Sequence, residues 1–258
     1  MHDVATIAIK GDAKSNSDGV LLINSLHKSF GSNHVLIDFN LKLEGGEQVA
    51  VLGKSGSGKS VLIKCIIGLL VPDEGVINVL GHDIESLNSY ELDQVRTKVG
   101  FLFQSNALYD SMTVRENLEF PLRRHSIKLT PSERYNKVIA VLQNVGLAHT
   151  VDMMPAELSG GMRKRIALAR TLILEPEIIL YDEPTTGLDP ITGKEISRLI
   201  KTIGEKYNTS ALIISHDMEC IRMTSDRIIM LIDGKCYAQG TYEELKKSND
   251  EKVKQFFE

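Results

Sequence analysis

A glycine-rich segment carries the clearest chemistry in the sequence. It matches the pattern GxxxxGK(S/T) and consists of Gly53, Lys54, Ser55, Gly56, Ser57, Gly58, Lys59 and Ser60. Glycines allow backbone N–H groups to approach phosphate oxygens, and the helix predicted after them points its positive end at the anion. Lys59 would reach the β and γ phosphates, and the Ser60 hydroxyl is a ligand for Mg²⁺. The segment therefore predicts a site for a nucleoside triphosphate and Mg²⁺.

Two adjacent carboxylates follow a second apolar run. Residues 178–181 are typical of a buried strand, and Asp182 and Glu183 come directly after them. Acidic residues often end strands for structural reasons, so the pair is informative because a phosphate loop is also present. If this strand neighbours the strand before the phosphate loop, Asp182 lies near the Mg²⁺. Glu183 can then polarise a water towards the γ phosphate.

A second glycine element begins a strongly helical stretch. Ser159 is a good N-cap, and Gly160 and Gly161 leave backbone N–H groups open to an anion. A capped helix with a flexible start is the structural alternative. Two phosphate-type elements beside a single phosphate loop are explained by a homodimer, in which each element completes the partner's site.

Apolar periodicity predicts the elements that must position these groups. Strand-like runs occupy 21–26, 35–43, 48–52, 75–80 and 99–103, and a helix is predicted over 58–69. Between 106 and 174 only helical spacing occurs, at 113–122, 131–145 and 161–174. Strands at 178–181, 211–215, 228–232 and 235–239 then alternate with helices at 192–206 and 218–224. The pattern predicts a mostly parallel sheet covered on both faces and interrupted by a helical region. The polar residues 1–19 are predicted to form a mobile tail.

Composition excludes several other classes. The 258 residues, with 42% hydrophobic and 25% charged, suit one large domain or a domain with an inserted subdomain. A balance of 30 basic against 34 acidic residues gives no support for bulk nucleic-acid binding. The 3 cysteines form no CxxC pair, so we expect a reducing compartment and neither disulfides nor zinc. No apolar run approaches the roughly 20 residues of a membrane span, and we expect no signal peptide.

The order of these motifs resembles that of ATP-binding cassette (ABC) ATPases. The resemblance covers about residues 20–245 and rests on the following segments: GKSGSGKS, Gln104 after an apolar strand, LSGGM, IILYDE, GLDP at 187–190 and SHD at 215–217. It implies an α/β fold, a P-loop NTPase with a RecA-like core, a small antiparallel β portion and an inserted α-helical subdomain at about 105–174. Residues 246–258 would form a C-terminal tail.

The resemblance also implies roles for individual residues around ATP and Mg²⁺. Phe30 would stack on adenine, although a buried core phenylalanine is the alternative. The ATP phosphates would lie on 53–60 and the following Val61. Ser60, Gln104 and Asp182 would hold the metal ion, and Gln104 would also contact the attacking water.

The implied catalytic residues are Lys59, Gln104, Glu183 and His216. Glu183 would be the general base, and His216 would contact the γ phosphate. Ser159, Gly160 and Gly161 would touch the nucleotide of the other subunit, and Asp189 would cross the dimer interface. Met162 departs from the pattern, because glutamine is commonest there and methionine has no amide to donate.

Several stretches narrow the resemblance to the ATPases of Mce-type, Mla-like phospholipid transport systems. They are 100–117, 120–123, MPAE before LSGGM, DPIT at 189–192 and the C-terminal VKQFF. This implies a membrane permease and a lipid-binding Mce-type subunit as partners, at the cytoplasmic side of the inner membrane. Residues 105–109 would line a groove for the permease, with Leu108 and Tyr109 as anchors. Alternatively, both side chains pack inside the helical subdomain.

Three other functions stay open from the sequence. The chain could serve another import or export system, because such systems share this cassette. It could be a soluble ABC ATPase that acts on nucleic acid or the ribosome, although it has one cassette and no heptad stretch. A non-enzymatic nucleotide sensor is disfavoured because Lys59, Asp182, Glu183 and His216 are all present.

Overall fold

The computed structural model describes residues 19–125 and 127–257, so the predicted mobile tail lies, apart from Gly19, outside the described residues. The described strands are β1 (Leu21–Phe30), β2 (Asn33–Leu43), β3 (Gln48–Leu52), β4 (Glu74–Val79), β5 (His82–Asp83), β6 (Val99–Leu102), β7 (Ile178–Asp182), β8 (Ser210–Ser215), β9 (Arg227–Ile232) and β10 (Lys235–Gly240). The described helices are α1 (Lys59–Ile66), α2 (Ser89–Thr97), α3 (Val114–Arg124), α4 (Pro131–Asn144), α5 (Gly160–Leu172), α6 (Pro190–Tyr207), α7 (Met218–Thr224), α8 (Tyr242–Lys246) and α9 (Glu251–Lys254).

The larger sheet has six strands in the order β10-β9-β3-β8-β7-β6. Its pairs are parallel except for β10, which returns antiparallel beside β9. All residues of β3 and β8 are buried, because helices cover both faces of this part of the sheet. The continuous apolar runs in the sequence reflect that double burial, and the predicted α/β fold with a mostly parallel sheet is confirmed.

The neighbour relation on which the placement of Asp182 was made conditional does not hold. The strand that ends in the acidic pair, β7, does not lie beside the phosphate-loop strand β3, because β8 pairs with both of them. Both β7 and β8 are continuous apolar runs, so the hydrophobic pattern of the sequence does not show which of the two strands pairs with β3. The carboxyl ends of all three strands still meet at one edge, which is where Asp182 and the phosphate loop come together.

The smaller sheet is antiparallel, with the order β2-β1-β4-β5. Its inward side chains, such as Leu21 and Phe39, share one apolar cluster with β3, β7, β8 and α1. This cluster joins the antiparallel portion to one face of the larger sheet. The hairpin between β1 and β2 therefore holds Phe30 and Val35 close to the phosphate loop.

Helices α3, α4 and α5 lie between β6 and β7 in the chain and build a second apolar cluster with α6. Thr113 and Thr130 cap α3 and α4, each in a capping box with a glutamate three residues later. Helix α2 was not predicted from the sequence. Its sequence is mostly polar and its buried residue is Val95, so it shows little of the apolar periodicity that indicates a helix. Among the described residues, no helix is long and apolar enough to cross a membrane.

The predicted C-terminal tail covers residues 246–258, and within its described part, 246–257, several side chains pack against the domain. Val253 of α9 is 2% exposed and belongs to an apolar cluster with residues of β3 and β9. Phe256 and Phe257 pack on that cluster, and the Phe257 ring lies 5.3 Å from that of Tyr242. The segment is polar apart from these few side chains, so its sequence alone resembles a solvated end.

Candidate functional site

The phosphate loop joins β3 to α1 through a backbone that only glycine allows. Gly58, the N-cap of α1, has a φ of 102°. A Cβ atom at Gly58 would lie 2.9 Å from Cγ1 and 3.0 Å from O of Val35. Both the left-handed conformation and the close approach of β2 therefore require glycine at this position. The result is a tight loop that leads directly into α1.

The Lys59 ammonium is buried inside this loop. Lys59 is 7% exposed, and Nζ donates hydrogen bonds to O of Gly53 at 2.7 Å and O of Lys54 at 3.0 Å. Burial lowers the pKa of Lys59, while the carboxylates of Glu183 and Asp182 oppose that shift. The loop carbonyls and the two carboxylates thus keep the Lys59 ammonium charged and in place, next to the position that phosphate oxygens would occupy.

Glu183 connects the loop to the end of β8. Its Oε1 lies 3.9 Å from Nζ of Lys59, and its Oε2 lies 2.8 Å from Nδ1 of His216. The Glu183 backbone has a φ of 49°, and its N–H donates to O of Ile214 at 2.8 Å. A non-glycine residue in the left-handed region is uncommon, and such conformations concentrate at functional sites. This turn is what aims the carboxylate at Lys59 and His216.

Asp182 has the properties of a metal ligand. Its Oδ1 is buried and has no hydrogen-bond partner among the described residues. Burial raises the pKa of Asp182 and the Glu183 charge adds to this, whereas Lys59 and Lys164 oppose it. A bound cation would satisfy such an oxygen.

The possible metal ligands near Asp182 suit Mg²⁺ better than a metal ion whose ligands all come from protein side chains. Within 19–125 and 127–257, no group of three His, Cys, Asp or Glu residues could hold a metal ion. Mg²⁺ keeps waters and takes phosphate oxygens, so it needs only one or two protein ligands. Ser60 at the start of α1 and Gln104 after β6 are the other donors at this edge of the sheet.

A cavity of about 800 Å³ lies over the phosphate loop. The predicted residues that line it are Phe30, Gly53, Lys54, Ser55, Gly56, Gly58, Lys59, Ser60, Val61, Gln104, Glu183 and His216. Phe30 is 49% exposed, so the alternative of a buried core phenylalanine is wrong. Ser57 lies within the loop, and its buried Oγ has no hydrogen-bond partner among the described residues. The structure thus brings most of the predicted residues to one cavity.

The second glycine element lies at a separate cavity of about 420 Å³, lined by Ser159, Gly160, Gly161 and Asp189 among others. Ser159 Oγ accepts a hydrogen bond from N of Met162, and Asp189 caps α6. Hydrogen bonds from Thr192 lower the pKa of Asp189. The two cavities have no described lining residue in common. A single chain therefore does not unite the two phosphate-type elements.

The residues predicted as permease anchors differ in exposure. Leu108 packs against the cluster of the helical region, as the alternative interpretation expected. Tyr109 is 43% exposed, and its ring lies 4.9 Å from that of Phe120. Phe120 lines a neighbouring groove with Met112, Glu116, Arg123 and Arg124. Tyr109 is thus the more exposed of the pair, and Leu108 is half-buried.

Two features of the site were not predicted from the sequence. Gln255 and Phe256 line the cavity over the phosphate loop, and Nζ of Lys54 lies 6.0 Å from the Phe256 ring centroid. Lys164 is 1% exposed, and burial lowers its pKa to about 8. In the sequence Lys164 lies between Arg163 and Arg165, so it looks like part of a solvated basic run and no local signal marks it as buried.

Comparison with known proteins agrees with this geometry. Residues 36–186 match the ABC transporter family, a range that contains the phosphate loop, the second glycine element and the acidic pair. The chain belongs to the ABC transporter family. It is an ATP-binding subunit of that family, whose members hydrolyse ATP to power transport. The family predicted from the order of the motifs is confirmed.

Individual relatives of this ABC protein differ in the transport that their names describe. It is 41% identical to the probable ribonucleotide transport ATP-binding protein mkl of Mycobacterium leprae, over 96% of this chain and 72% of that protein. It is 38% identical to the intermembrane phospholipid transport system ATP-binding protein MlaF of Haemophilus influenzae, over 93% of this chain and 90% of that protein.

A solved structure supports the cassette fold. The dimeric post-hydrolysis state of the ATP-binding cassette MJ0796, bound to ADP and Pi, superimposes with a TM-score of 0.78. The two chains are 32% identical, and the match covers 86% of this chain and 98% of MJ0796. The predicted P-loop NTPase fold is confirmed.

Replacement of Lys59 by alanine tests the cation in the loop. We expect Lys59→Ala to weaken ATP binding at least about 10-fold, because it removes the charge that neutralises the β and γ oxygens. Isothermal titration calorimetry measures the affinity, with Lys64→Ala on the exposed side of the same helix as the control. Equal affinities in the two variants would contradict this role of Lys59.

Proposed function

We propose that this chain hydrolyses ATP as a homodimer and thereby powers a membrane transporter for phospholipid. The observation that carries the hydrolytic part is the position of Glu183. Its two carboxylate oxygens face Lys59 on one side and His216 on the other, at the cavity above the phosphate loop. These two contacts restrict the orientation of the carboxylate at the cavity, which is what a general base towards a bound water requires.

Each group near the γ phosphate has a distinct part in this proposal. Lys59 would exchange its loop carbonyls for phosphate oxygens, and the buried oxygen of Asp182 would hold the metal ion together with Ser60 and Gln104. Mg²⁺, when bound, neutralises charge on the phosphate oxygens. Glu183 accepts a proton from water as the water oxygen bonds to the γ phosphorus and the bond to the ADP oxygen breaks. His216 contacts the γ phosphate and restrains Glu183.

The second cavity supports a head-to-tail dimer. Ser159, Gly160 and Gly161 start a helix, and Asp189 lies beside them, but the phosphate loop of the same chain is elsewhere. In a dimer related by a two-fold axis, each of these elements would meet the nucleotide of the partner. The dimeric state of the MJ0796 cassette supports this arrangement. Loss of the γ phosphate would then remove the bridge and open the dimer.

The likeness to MlaF supports phospholipid as the cargo, because the chain spans 90% of that protein. In this proposal the ATPase docks on the cytoplasmic side of an inner-membrane permease, which works with a lipid-binding Mce-type subunit. Transport of ribonucleotide is the second candidate, and the name of the mkl relative favours it. The ATP site is the same for both, so only the partner subunits distinguish them.

Replacement of Glu183 by glutamine tests the base. We expect Glu183→Gln to retain ATP binding and to lower kcat by about 100-fold or more, because the amide keeps the shape and does not accept the proton. The closed dimer should accumulate with ATP and is measured by size-exclusion chromatography. Glu205→Gln, on the exposed side of α6, is the matched control. Turnover near that of the control would remove Glu183 from the mechanism.

Replacement of Tyr109 by glutamate tests the docking surface. We expect Tyr109→Glu to keep the fold and ATP binding and to lose association with the permease, because a charge replaces an apolar anchor. Tyr135→Glu is the control, since Tyr135 is 41% exposed on the same helical region and Tyr109 is 43% exposed. Co-purification measures association, and thermal melting measures the fold. Full co-purification of Tyr109→Glu would exclude this surface, and unfolding would assign Tyr109 to the core.

The cargo is tested with the complete complex in vesicles. We expect ATP to drive transfer of a labelled phospholipid by the complex of this chain with its permease and lipid-binding subunit. The same complex with Glu183→Gln serves as the inactive control. Movement of a labelled ribonucleotide without movement of phospholipid would reject the lipid proposal and favour the second candidate.

A further inference from the structure

Helix α5 holds the loop that follows Gln104 through two cations. Lys164 Nζ donates to O of Gln104 at 2.9 Å and to O of Phe103 at 3.4 Å. Further along the helix, Arg170 Nη1 donates to O of Ala107 at 2.7 Å and Nη2 donates to O of Asn106 at 3.2 Å. These four carbonyls belong to the segment 103–107, which connects β6 to the helical region.

The conformation of this segment needs outside support. Asn106 has a φ of 64° and Ala107 a φ of 51°, so two consecutive non-glycine residues occupy the left-handed region. Such residues persist only where surrounding contacts hold them. The buried Oδ1 of Asn106 has no hydrogen-bond partner among the described residues, so that amide oxygen gives the loop no support. The charge-assisted hydrogen bonds from Lys164 and Arg170 to the loop carbonyls provide the support that this strained backbone needs.

Lys164 is unusual because its charged side chain is buried. The side chain is 1% exposed, and a lysine is almost never that buried unless it is paired. Besides the loop carbonyls it faces Asp182, whose charge raises the pKa of Lys164 against the effect of burial. One ammonium therefore interacts with both the Gln104 backbone and the acid proposed to hold the metal ion.

We propose that Lys164 and Arg170 are positioning residues that hold the loop 103–107 so that Gln104 faces the nucleotide cavity. This inference rests on the proposed role of Gln104 in hydrolysis. The same helix begins at Ser159, the element proposed to meet the partner's nucleotide, and the same loop ends near the exposed Tyr109. Through these two cations, α5 connects the proposed dimer contact at Ser159 with Gln104 and with the proposed docking surface at Tyr109.

The test compares variants of α5 in the full-length chain. Lys164→Met removes the ammonium and keeps an unbranched side chain, and Arg170→Lys keeps the charge and loses the fork that reaches two carbonyls. Thr171→Val is the matched control, because Thr171 lies on the same helix and its hydroxyl donates to O of Phe101, before the loop. We expect both test variants to lower kcat about 10- to 100-fold with ATP affinity unchanged. The control should retain its kcat.

A double-mutant cycle with Gln104→Ala separates positioning from other effects. If Lys164 acts through Gln104, Lys164→Met should lower kcat little further in the Gln104→Ala background. Additive losses would overturn the proposal, since they would mean that Lys164 acts only through Asp182 or through general stability. If Gln104→Ala alone leaves kcat unchanged, the role of Gln104 fails and the positioning proposal fails with it. If Gln104→Ala is slow while both α5 variants are normal, only the positioning proposal is overturned.

Hydrogen exchange gives a readout that does not depend on turnover. In the structure, the amide of Asn106 donates to O of Phe103, and that of Tyr109 donates to Oδ1 of Asn117. We expect both amides to exchange faster in Lys164→Met and Arg170→Lys than in Thr171→Val, with the amides of α3 unchanged. Unchanged exchange in 103–109 would show that the cations do not hold the loop, and would overturn the proposal.

Discussion

The candidate site depends on the burial of one cation, the Lys59 ammonium. It lies inside its own loop, bonded to two carbonyl oxygens and facing Glu183. A buried charge is tolerated only when it is paired and hydrogen-bonded, so the loop conformation and the acids after β7 are mutually required. Glycine at position 58 makes the loop, and the left-handed turn at Glu183 aims the opposing carboxylate. Lys59 in the phosphate loop and Glu183 after β7 thus stabilise each other through opposite charges.

The parallel sheet is what lets these halves meet. Parallel strands end at a common edge, so the turns after β3, β7 and β8 deliver Lys59, Glu183 and His216 to one place from three distant parts of the chain. All residues of β3 and β8 are buried, so the edge is built on strands that are covered on both faces. The helical region between β6 and β7 contributes to this burial, because α5 shares an apolar cluster with β7 and β8. Its helix α5 connects Ser159 to the loop after Gln104.

The second glycine element lies apart from the phosphate loop. Its helix start and Asp189 line a cavity of their own. In the proposed homodimer this cavity would face the nucleotide of the partner, and the nucleotide would act as a switch for association. The C-terminal residues Gln255 and Phe256 lie at the cavity over the phosphate loop. These two side chains therefore border the cavity that is proposed to hold the nucleotide.

The sequence by itself determined the family, most strands and helices of the core, and most of the residues that line the candidate site. These follow from local patterns: glycine and lysine spacing in 53–60, apolar runs in β3, β7 and β8, and N-caps such as Ser159. Only the tertiary structure decided that β8 lies between β3 and β7, that Phe30 is exposed and that 246–257 packs against the domain. It also decided that Lys164 and Arg170 hold the loop after Gln104. Such features depend on which elements lie side by side, and short apolar or charged segments are compatible with several neighbours until the whole core is packed.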